Sequence, residues 1–304
     1  MITETAIEFD SQGAVLRGRL VMPAAGGARR PAVILAHGTS ATTTMVLIEF
    51  ARAFARAGLV ALVYDHRNLG CSGGEPRGEI NPWVQCRGYL AALDFAGRRG
   101  EIDPNRIALW GDSYTGGQVI AVAACDPRPR AVVAQCPVFG AALPAQAPGP
   151  DFLAVFRHTL LYGDVTGTPE TTTGPLPVVS FDPISVPSML APIQAFRWFI
   201  DYGGRPGSGW VNRVTRVLPS TPAPYAPIHC AAFVQVPVLL MVAPADEMAH
   251  ANVEVSRHAY GLLAGPKRWV DIDDGHFGLL YHPGARFDEA AGIQAAFLRQ
   301  QLLN

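Results

Sequence analysis

Continuous apolar runs alternate along this chain with stretches in which apolar residues recur at helical spacing. One apolar run covers residues 32–36, and the amphipathic segment that follows it, residues 44–57, ends at Gly58. Strands that are apolar on both faces, each followed by a helix, predict a parallel sheet with helices on both sides. The other predicted strands of this kind are 59–64, 106–110, 131–135, 236–242 and 268–272. The other predicted helices are 82–99, 115–125, 252–263 and 287–303.

Two further segments change this pattern. Residues 5–10 and 14–21 alternate in polarity around Ser11-Gln12-Gly13, which predicts an antiparallel hairpin. A proline-rich segment, 138–234, interrupts the α/β alternation, is far longer than an ordinary connection and contains two apolar helical pieces. We therefore predict an α/β fold whose mostly parallel sheet has eight strands. Its core domain comprises residues 1–137 and 235–304, and a cap of residues 138–234 is inserted after the sixth strand.

The composition is typical of a folded chain and gives no charge-based reason to expect a nucleic-acid partner. Of its 304 residues 49% are hydrophobic and 16% are charged, and the formal net charge is −1. The basic residues are scattered, so we expect no binding to nucleic acid. The N-terminal segment lacks the features of a signal peptide, and no apolar run approaches the length that spans a membrane. We expect a protein without a membrane association.

The five cysteines are an odd number without paired spacing, which favours reduced thiols and a cytoplasmic location. A cysteine nucleophile is an alternative for the chemistry, but Cys125 and Cys136 lie in apolar stretches. Metal-ligand spacing is absent from the His and Cys positions, and the glycines of residues 70–78 lack the lysine of a phosphate-binding loop. Neither a cofactor nor a metal is implied.

The most distinctive local pattern surrounds Ser113. Apolar residues 107–110 lead into Gly111-Asp112-Ser113, and the residues after Thr115 are again apolar at helical spacing. This pattern predicts a strand, a sharp turn and a helix, with the serine hydroxyl exposed at the edge of the sheet. Ser113 is therefore a candidate nucleophile for acyl transfer.

A serine nucleophile needs a base and an acid that orients the base, both within reach of the same sheet edge. Asp246 follows the buried strand 236–242, and His276 follows the last strand. Their order after Ser113 favours a triad, although Glu247 is an alternative acid and Asp246 could also be a helix cap. The backbone N–H groups of Tyr114 and Thr39 are the candidate oxyanion donors, since Thr39 follows a glycine at a strand end. An ordinary turn is the alternative for His37-Gly38.

These residues together resemble the α/β-hydrolase superfamily, in particular its dienelactone-hydrolase-like and acyl-peptidase-like branch. The resemblance covers nearly the whole chain except the cap. It rests on His37-Gly38, the loop of residues 65–74, the approach of residues 103–106, Gly111-Asp112-Ser113, Gly116-Gly117, Asp246 and Gly275-His276. The family turn is usually Gly-x-Ser-x-Gly, whereas Thr115 occupies the last position here. The nucleophile is a serine, unlike the cysteine of true dienelactone hydrolases and the aspartate of dehalogenases and epoxide hydrolases. For Asp65 and Arg67 the resemblance implies a structural loop rather than a pair that binds substrate.

The resemblance implies a serine hydrolase that cleaves an ester or thioester of a small molecule through an acyl-enzyme. The aromatic content of the cap suggests an apolar or polyketide-like acyl group. The candidate pocket walls are Phe152, Phe156, Phe196, Trp198 and Trp210. Two alternatives use the same fold: cleavage of a C–C bond or acyl transfer with the same triad, and a binding protein without catalysis. The sequence leaves a homo-oligomer open.

Overall fold

The computed structural model describes residues 1–24 and 27–303, which form eleven strands and eight α-helices. The strands are β1 (Ile2–Ser11), β2 (Ala14–Pro23), β3 (Arg30–Ala36), β4 (Val60–Tyr64), β5 (Glu79–Ile80), β6 (Ile102–Asp112), β7 (Pro129–Gln135), β8 (Thr172–Leu176), β9 (Val214–Val217), β10 (Val238–Val242) and β11 (Lys267–Asp271). The helices are α1 (Ile48–Arg56), α2 (Pro82–Gly97), α3 (Tyr114–Cys125), α4 (Phe152–Tyr162), α5 (Ile193–Gly203), α6 (Pro227–Cys230), α7 (Val253–Leu262) and α8 (Ala285–Leu303).

Eight strands form the main sheet, in the order β1, β2, β4, β3, β6, β7, β10, β11. The hairpin of β1 and β2 is antiparallel, as is the pairing of β2 with β4, and all the other pairs are parallel. The prediction of a mostly parallel sheet of eight strands is therefore confirmed. Parallel strands bring their carboxyl ends to one edge, and this edge carries the site described below.

The apolar strands are buried because both faces of the sheet are covered. Along β3, Ile34 belongs to one hydrophobic cluster and its neighbours Val33 and Leu35 belong to the cluster on the other face. This alternation follows from the period of two in a strand. It explains why the continuous apolar runs identified the central strands.

The predicted first helix differs from the observed one at its start. Regular helix begins at Ile48, and residues 43–47 form an irregular turn in which Val46 has a φ of 76°. The turn directs the buried Met45 carbonyl oxygen toward His37, whose Nε2 lies 2.9 Å from it. The apolar spacing continues through this turn, so the pattern alone did not show where the helix begins.

The segment between β7 and β10 contains the two helices expected there, α4 and α5, and three elements that the sequence did not predict, β8, β9 and α6. Strand β9 pairs with β8 and also with β5, which lies in the first part of the chain. The segment therefore shares a small sheet with the core, and the boundaries of the cap at 138 and 234 stay a prediction. Over residues 1–24 and 27–303, no helix has the length and apolar character needed to cross a membrane.

Candidate active site

Ser113 occupies a strained turn between β6 and α3. Its backbone angles are φ 57° and ψ −117°, a combination that costs energy for a residue with a side chain. Its N–H donates to the Gln135 carbonyl oxygen at 2.9 Å, which anchors the turn to β7. A Cβ atom at Gly111 would lie 2.2 Å from the Thr115 carbonyl oxygen, so only glycine fits there. These contacts hold Ser113 at the edge of the sheet.

Thr115 occupies the position that is usually glycine in this turn, and its hydroxyl group holds the turn in place. Its Oγ1 accepts the Asp112 N–H at 2.9 Å and lies 3.0 Å from the Ala36 carbonyl oxygen, to which it donates. The side chain is fully buried, so the bonds join the turn to β3 in a dry environment. The close approach that glycine usually permits occurs one position later, where a Cβ at Gly116 would lie 2.9 Å from Pro137 Cα.

His276 and Asp246 form a hydrogen-bonded pair beyond the ends of β11 and β10. Asp246 Oδ2 lies 2.7 Å from His276 Nδ1, and both side chains are 2% exposed. Glu247, the alternative acid, instead accepts the His276 backbone N–H at 2.8 Å. The two carboxylates therefore have different tasks: Asp246 orients the imidazole, and Glu247 holds the loop that carries it.

The surroundings make His276 a stronger base than an ordinary histidine. Burial alone would lower the pKa of His276, but the hydrogen bond and charge of Asp246 outweigh burial and raise it above 6.5. Asp112 and Glu247 act in the same direction. A neutral imidazole that donates Nδ1–H to Asp246 has the lone pair of Nε2 left to accept a proton.

The backbone beside Ser113 offers the two predicted oxyanion donors. Tyr114 is the first residue of α3, so its N–H has no partner within the helix and lies at the positive end of the helix dipole. On the neighbouring loop, Gly38 N–H is engaged by His37 Nδ1 at 3.0 Å. Thr39, with φ 39°, is the next residue and lines the cavities at Ser113. Thr39 and Tyr114 thus remain the predicted donors.

Gly38 allows this loop to approach the nucleophile. A Cβ atom at position 38 would lie 2.5 Å from the Asp112 carbonyl oxygen and 2.6 Å from Ser113 Cβ. Any larger residue would displace either the loop or the turn.

A buried polar chain supports the turn from below. Asp112, 1% exposed, accepts a hydrogen bond from Gln135 Nε2 at 3.0 Å, and its other oxygen lies 3.5 Å from His37 Nδ1. Gln135 in turn accepts from Gln294, and Gln294 accepts from the Trp110 indole, each at 2.7 Å. Burial raises the pKa of Asp112 and lowers that of His37. This chain fixes the residue next to the nucleophile, and the sequence analysis did not identify it.

Ser113 lines two cavities. The smaller one has a volume of about 20 Å³ and is lined by Ser113, His276 and Trp198 among others. That volume accommodates roughly one water molecule. The larger one, about 310 Å³, is lined by Ser113, Thr39 and Tyr114 and by mostly apolar side chains. It is large enough for an acyl group of several carbon atoms.

The structure brings one of the five predicted pocket walls to Ser113. Trp198, on α5, lines the small cavity and donates its indole N–H to the Leu280 carbonyl oxygen at 2.9 Å. Trp210 lines a different cavity of about 180 Å³, beside Leu69 and Arg77.

The three phenylalanines lie elsewhere. Phe152 and Phe156 contact each other and pack in the core, where the Phe156 ring lies 4.5 Å from that of Trp83. Phe196 packs against the Phe181 ring at 6.3 Å. None of these three belongs to the lining of the two cavities at Ser113. Their aromatic surface is used for packing between elements rather than for a wall at the nucleophile.

The cysteines do not offer a competing nucleophile of comparable chemistry. Burial raises the pKa of Cys125 to about 12 and that of Cys136 well above its ordinary value, so both stay protonated at neutral pH. Cys136 Sγ lies within 4.8 Å of donor atoms of Asp246 and His276. Asp246 and His276 already bond each other through Oδ2 and Nδ1, and a protonated thiol is a poor metal ligand.

The loop after β4 has a structural task. Asp65 accepts the Thr43 N–H at 2.7 Å with one carboxylate oxygen and the Cys71 N–H at 2.9 Å with the other. The predicted alternative, a pair with Arg67 that binds substrate, does not form: Arg67 donates instead to the Gln12 carbonyl oxygen at 3.0 Å.

Solved structures with this fold include "Alpha/beta hydrolase GrgF" from Penicillium sp. sh18, with a TM-score of 0.75 and 22% identity over 99% of this chain and all of that one. A dienelactone hydrolase from Anabaena variabilis has a TM-score of 0.59 and 16% identity over 99% of both chains. The quorum-quenching protein AidA of Acinetobacter baumannii is 30% identical over 97% of this chain and 94% of its own. This chain belongs to the α/β-hydrolase superfamily.

Two fungal relatives of this α/β-hydrolase have names that refer to acyl chemistry. Thiohydrolase aneE of Aspergillus aculeatus is 28% identical over 99% of this chain and 94% of its own. Polyketide transferase af380 of Aspergillus fumigatus is 24% identical over 97% of this chain and 98% of its own. No protein-family model matches the chain. The relatives and the solved structures together confirm the predicted superfamily.

Most walls of the larger cavity in this α/β-hydrolase were missed by sequence reasoning. Met248 follows the predicted acid by two positions, so proximity to Asp246 could have indicated it. The other missed walls include Val138, Phe139, Met189, Leu190, Arg216, Leu218 and Tyr225. Most of these lie in the long segment between β7 and β10, where no regular pattern shows which side chains face Ser113.

Proposed function

We propose that this α/β-hydrolase is a serine hydrolase that cleaves an ester or thioester of an apolar, polyketide-like acyl group through an acyl-enzyme. The observation that carries the proposal is the arrangement of three side chains. Ser113 and His276 line one small cavity, and Asp246 holds the imidazole by its Nδ1 at 2.7 Å. The protein is therefore an enzyme whose substrate is a small molecule.

The proposed reaction begins with transfer of the Ser113 hydroxyl proton to His276 Nε2. As Oγ attacks the carbonyl carbon, the developing negative charge on the carbonyl oxygen is stabilised by the N–H groups of Thr39 and Tyr114. His276 then gives its proton to the leaving oxygen or sulfur. Asp246 stabilises the imidazolium that exists between these two transfers.

The second half of the reaction uses water. A cavity of about 20 Å³ beside His276 and Ser113 suits roughly one water molecule, which His276 would deprotonate as it attacks the acyl carbon. The size of this cavity supports hydrolysis over transfer to a larger acceptor. The name of one relative, a polyketide transferase, supports acyl transfer as the second candidate.

The substrate class follows from the larger cavity and is supported by the relatives. Most side chains that line the 310 Å³ cavity are apolar, which suits an acyl chain. The thiohydrolase name of a relative supports a thioester, and an ester has the same carbonyl chemistry. C–C bond cleavage and binding without catalysis remain the less favoured functions.

The proposal also covers the location of the enzyme and its partners. We infer a cytoplasmic location, which is supported by the five free cysteines. The near-neutral net charge supports the proposal that neither nucleic acid nor a membrane is a partner. Homo-oligomerisation stays an open prediction.

The test is turnover of matched ester and thioester substrates by the wild type and by Ser113→Ala. We expect p-nitrophenyl butyrate and a butyryl thioester to be hydrolysed by the wild type. The variant should lose at least about a thousandfold in kcat, because the remaining groups supply only oxyanion stabilisation and binding. A folded wild type that hydrolyses neither substrate would contradict the proposal. Added alcohols or amines that appear in the product would favour acyl transfer instead.

A further inference from the structure

A basic side chain lies in the mostly apolar wall of the larger cavity. Arg216 lines it together with Tyr114 and Ser113, and His250 lies at the same cavity. Among the part of the chain that the structure describes, no Asp or Glu lines this cavity. Arg216 is therefore the one charged side chain that lines the acyl-binding space in the described part of the chain.

Strand β9 directs Arg216 toward this space. Arg216 pairs in register with Ile80 of β5, and Ile80 also lines the cavity. Leu218, two positions after Arg216, lines it as well, as expected for residues on one side of an extended chain. The orientation of Arg216 is thus set by the small sheet rather than by chance on a loose loop.

The guanidinium has no acidic partner. Arg216 forms no ion pair with any carboxylate in residues 1–24 and 27–303, although many other arginines of the chain do. It is only partly exposed. A partly exposed guanidinium without an acidic partner has N–H donors that can bind an anion from the cavity.

Arg216 also lies close enough to the Tyr114 side chain to influence it. Burial raises the pKa of Tyr114, and the positive charge of Arg216 opposes this rise. Both side chains line the cavity that begins at Ser113.

We propose that Arg216 binds a carboxylate at the far end of the acyl group, so that the substrates are esters or thioesters of acyl chains with an anionic terminus. The inference rests on the proposed function, because the acyl group reaches this cavity from Ser113. A guanidinium binds a carboxylate with two parallel hydrogen bonds, which fixes both position and orientation. The cavity of about 310 Å³ is many times larger than the cavity of about 20 Å³ that suits a single water molecule, so it has room for a short chain with a terminal carboxylate.

The first test compares two esters of equal shape. p-Nitrophenyl hydrogen glutarate has a terminal carboxylate, and p-nitrophenyl 5-methylhexanoate has an isopropyl group in its place. We expect the ratio of their kcat/KM values, glutarate over methylhexanoate, to fall by about tenfold or more in Arg216→Gln. Arg216→Lys should retain part of the ratio, because it keeps the charge and loses the planar fork.

Arg213→Gln is the matched control. Arg213 is an exposed arginine three positions before Arg216 and lines the separate 180 Å³ cavity, so the wild-type ratio should persist in this variant. A ratio that is unchanged in Arg216→Gln overturns the proposal. An effect of Arg216→Gln seen only with 4-carboxyphenyl pentanoate, where the carboxylate is on the leaving group, also overturns it.

The second test is independent of turnover. Calorimetric titration of Ser113→Ala with methyl hydrogen glutarate should give a Kd that rises by about tenfold or more when Arg216→Gln is added. Equal affinities in the two proteins overturn the role of Arg216. If the affinity falls as expected but the wild type hydrolyses no ester, the hydrolase proposal fails and the carboxylate site stands.

Discussion

At the scale of single residues, the titration of His276 distinguishes the proposed base from a structural histidine. Burial lowers the pKa of His276, but Asp246, with the charges of Asp112 and Glu247, outweighs it and raises the pKa above its ordinary value. The base is active only when neutral, so kcat/KM should rise with pH through a midpoint above 6.5. In Asp246→Asn burial acts with less opposition, and the pKa of His276 should move to lower pH.

The measurement for this prediction is an NMR titration of the His276 imidazole in the wild type and in Asp246→Asn, which does not depend on residual activity. Glu247→Gln is the control: it retains an acceptor for the His276 N–H, so its effect on the pKa should be smaller than that of Asp246→Asn. A His276 pKa that is unchanged or higher in Asp246→Asn would rule out Asp246 as the orienting acid.

The grouping of Ser113, Asp246 and His276 could be predicted from the sequence, because parallel strands end at one edge of the sheet. Ser113 and Asp246 follow the buried strands β6 and β10, and His276 follows the edge strand β11. Because these strands are parallel, their following loops meet at one edge of the sheet. Asp112, Gln135 and Gln294 form their chain through contacts between β6, β7 and α8. A glutamine within a helix gives no sign of such a partner, so the sequence could not reveal this support.

At the scale of elements, the turn between β6 and α3 depends on the hydroxyl of Thr115. Thr115→Val keeps the shape but leaves the buried Asp112 N–H without an acceptor. We expect the free energy of unfolding to fall by about 1–3 kcal/mol, with a lower kcat because the turn shifts. Thr115→Ser keeps the hydroxyl and should lose at most about 1 kcal/mol for the missing methyl group.

Denaturant unfolding and ester kinetics on the two variants check this prediction together. If Thr115→Val is as stable and as active as Thr115→Ser, the hydroxyl does not hold the turn. The sequence identified position 115 as a departure from the family pattern. The structure shows how the chain compensates for it: the Thr115 hydroxyl bonds both Asp112, within the turn, and Ala36, which is distant in sequence.

The elements with long periodic patterns could be predicted, and the short ones could not. Strands β5 and β9 have two and four residues, too few for a pattern to be recognised. They nevertheless orient Arg216 and Ile80. The aromatic residues of α4 show the complementary difficulty: composition indicated a packed element, but it did not show that Phe156 packs against Trp83 rather than at Ser113.

At the scale of the whole molecule, the segment between β7 and β10 is fastened to the core at defined points. Arg87 of α2 donates to the carbonyl oxygens of Leu160 at 2.7 Å, Thr159 at 3.0 Å and Gly163 at 2.6 Å. These carbonyl groups lie at the C-terminal end of α4, where the last carbonyl groups of a helix lack i+4 partners, although Thr159 also accepts the Gly163 N–H at 3.0 Å. Arg87 is therefore one of the points that join this segment to the core, together with the pairing of β5 with β9.

Arg87→Ala should lower the free energy of unfolding by about 2 kcal/mol, since hydrogen bonds from a charged donor are lost. Arg98→Ala, an exposed arginine just after the same helix, is the matched control and should change stability by less than about 0.5 kcal/mol. Limited proteolysis should cleave the region around α4 earlier in Arg87→Ala than in the control. Equal stability and equal cleavage of the two variants would show that Arg87 does not fasten this segment.

Covalent labelling tests whether Ser113 is the nucleophile. A fluorophosphonate probe reacts with an activated serine, and peptide mapping by mass spectrometry then identifies the labelled residue. We predict one adduct, on Ser113, that is absent in Ser113→Ala and slowed in His276→Ala. A folded wild type without an adduct, or an adduct that persists in Ser113→Ala, would contradict the account.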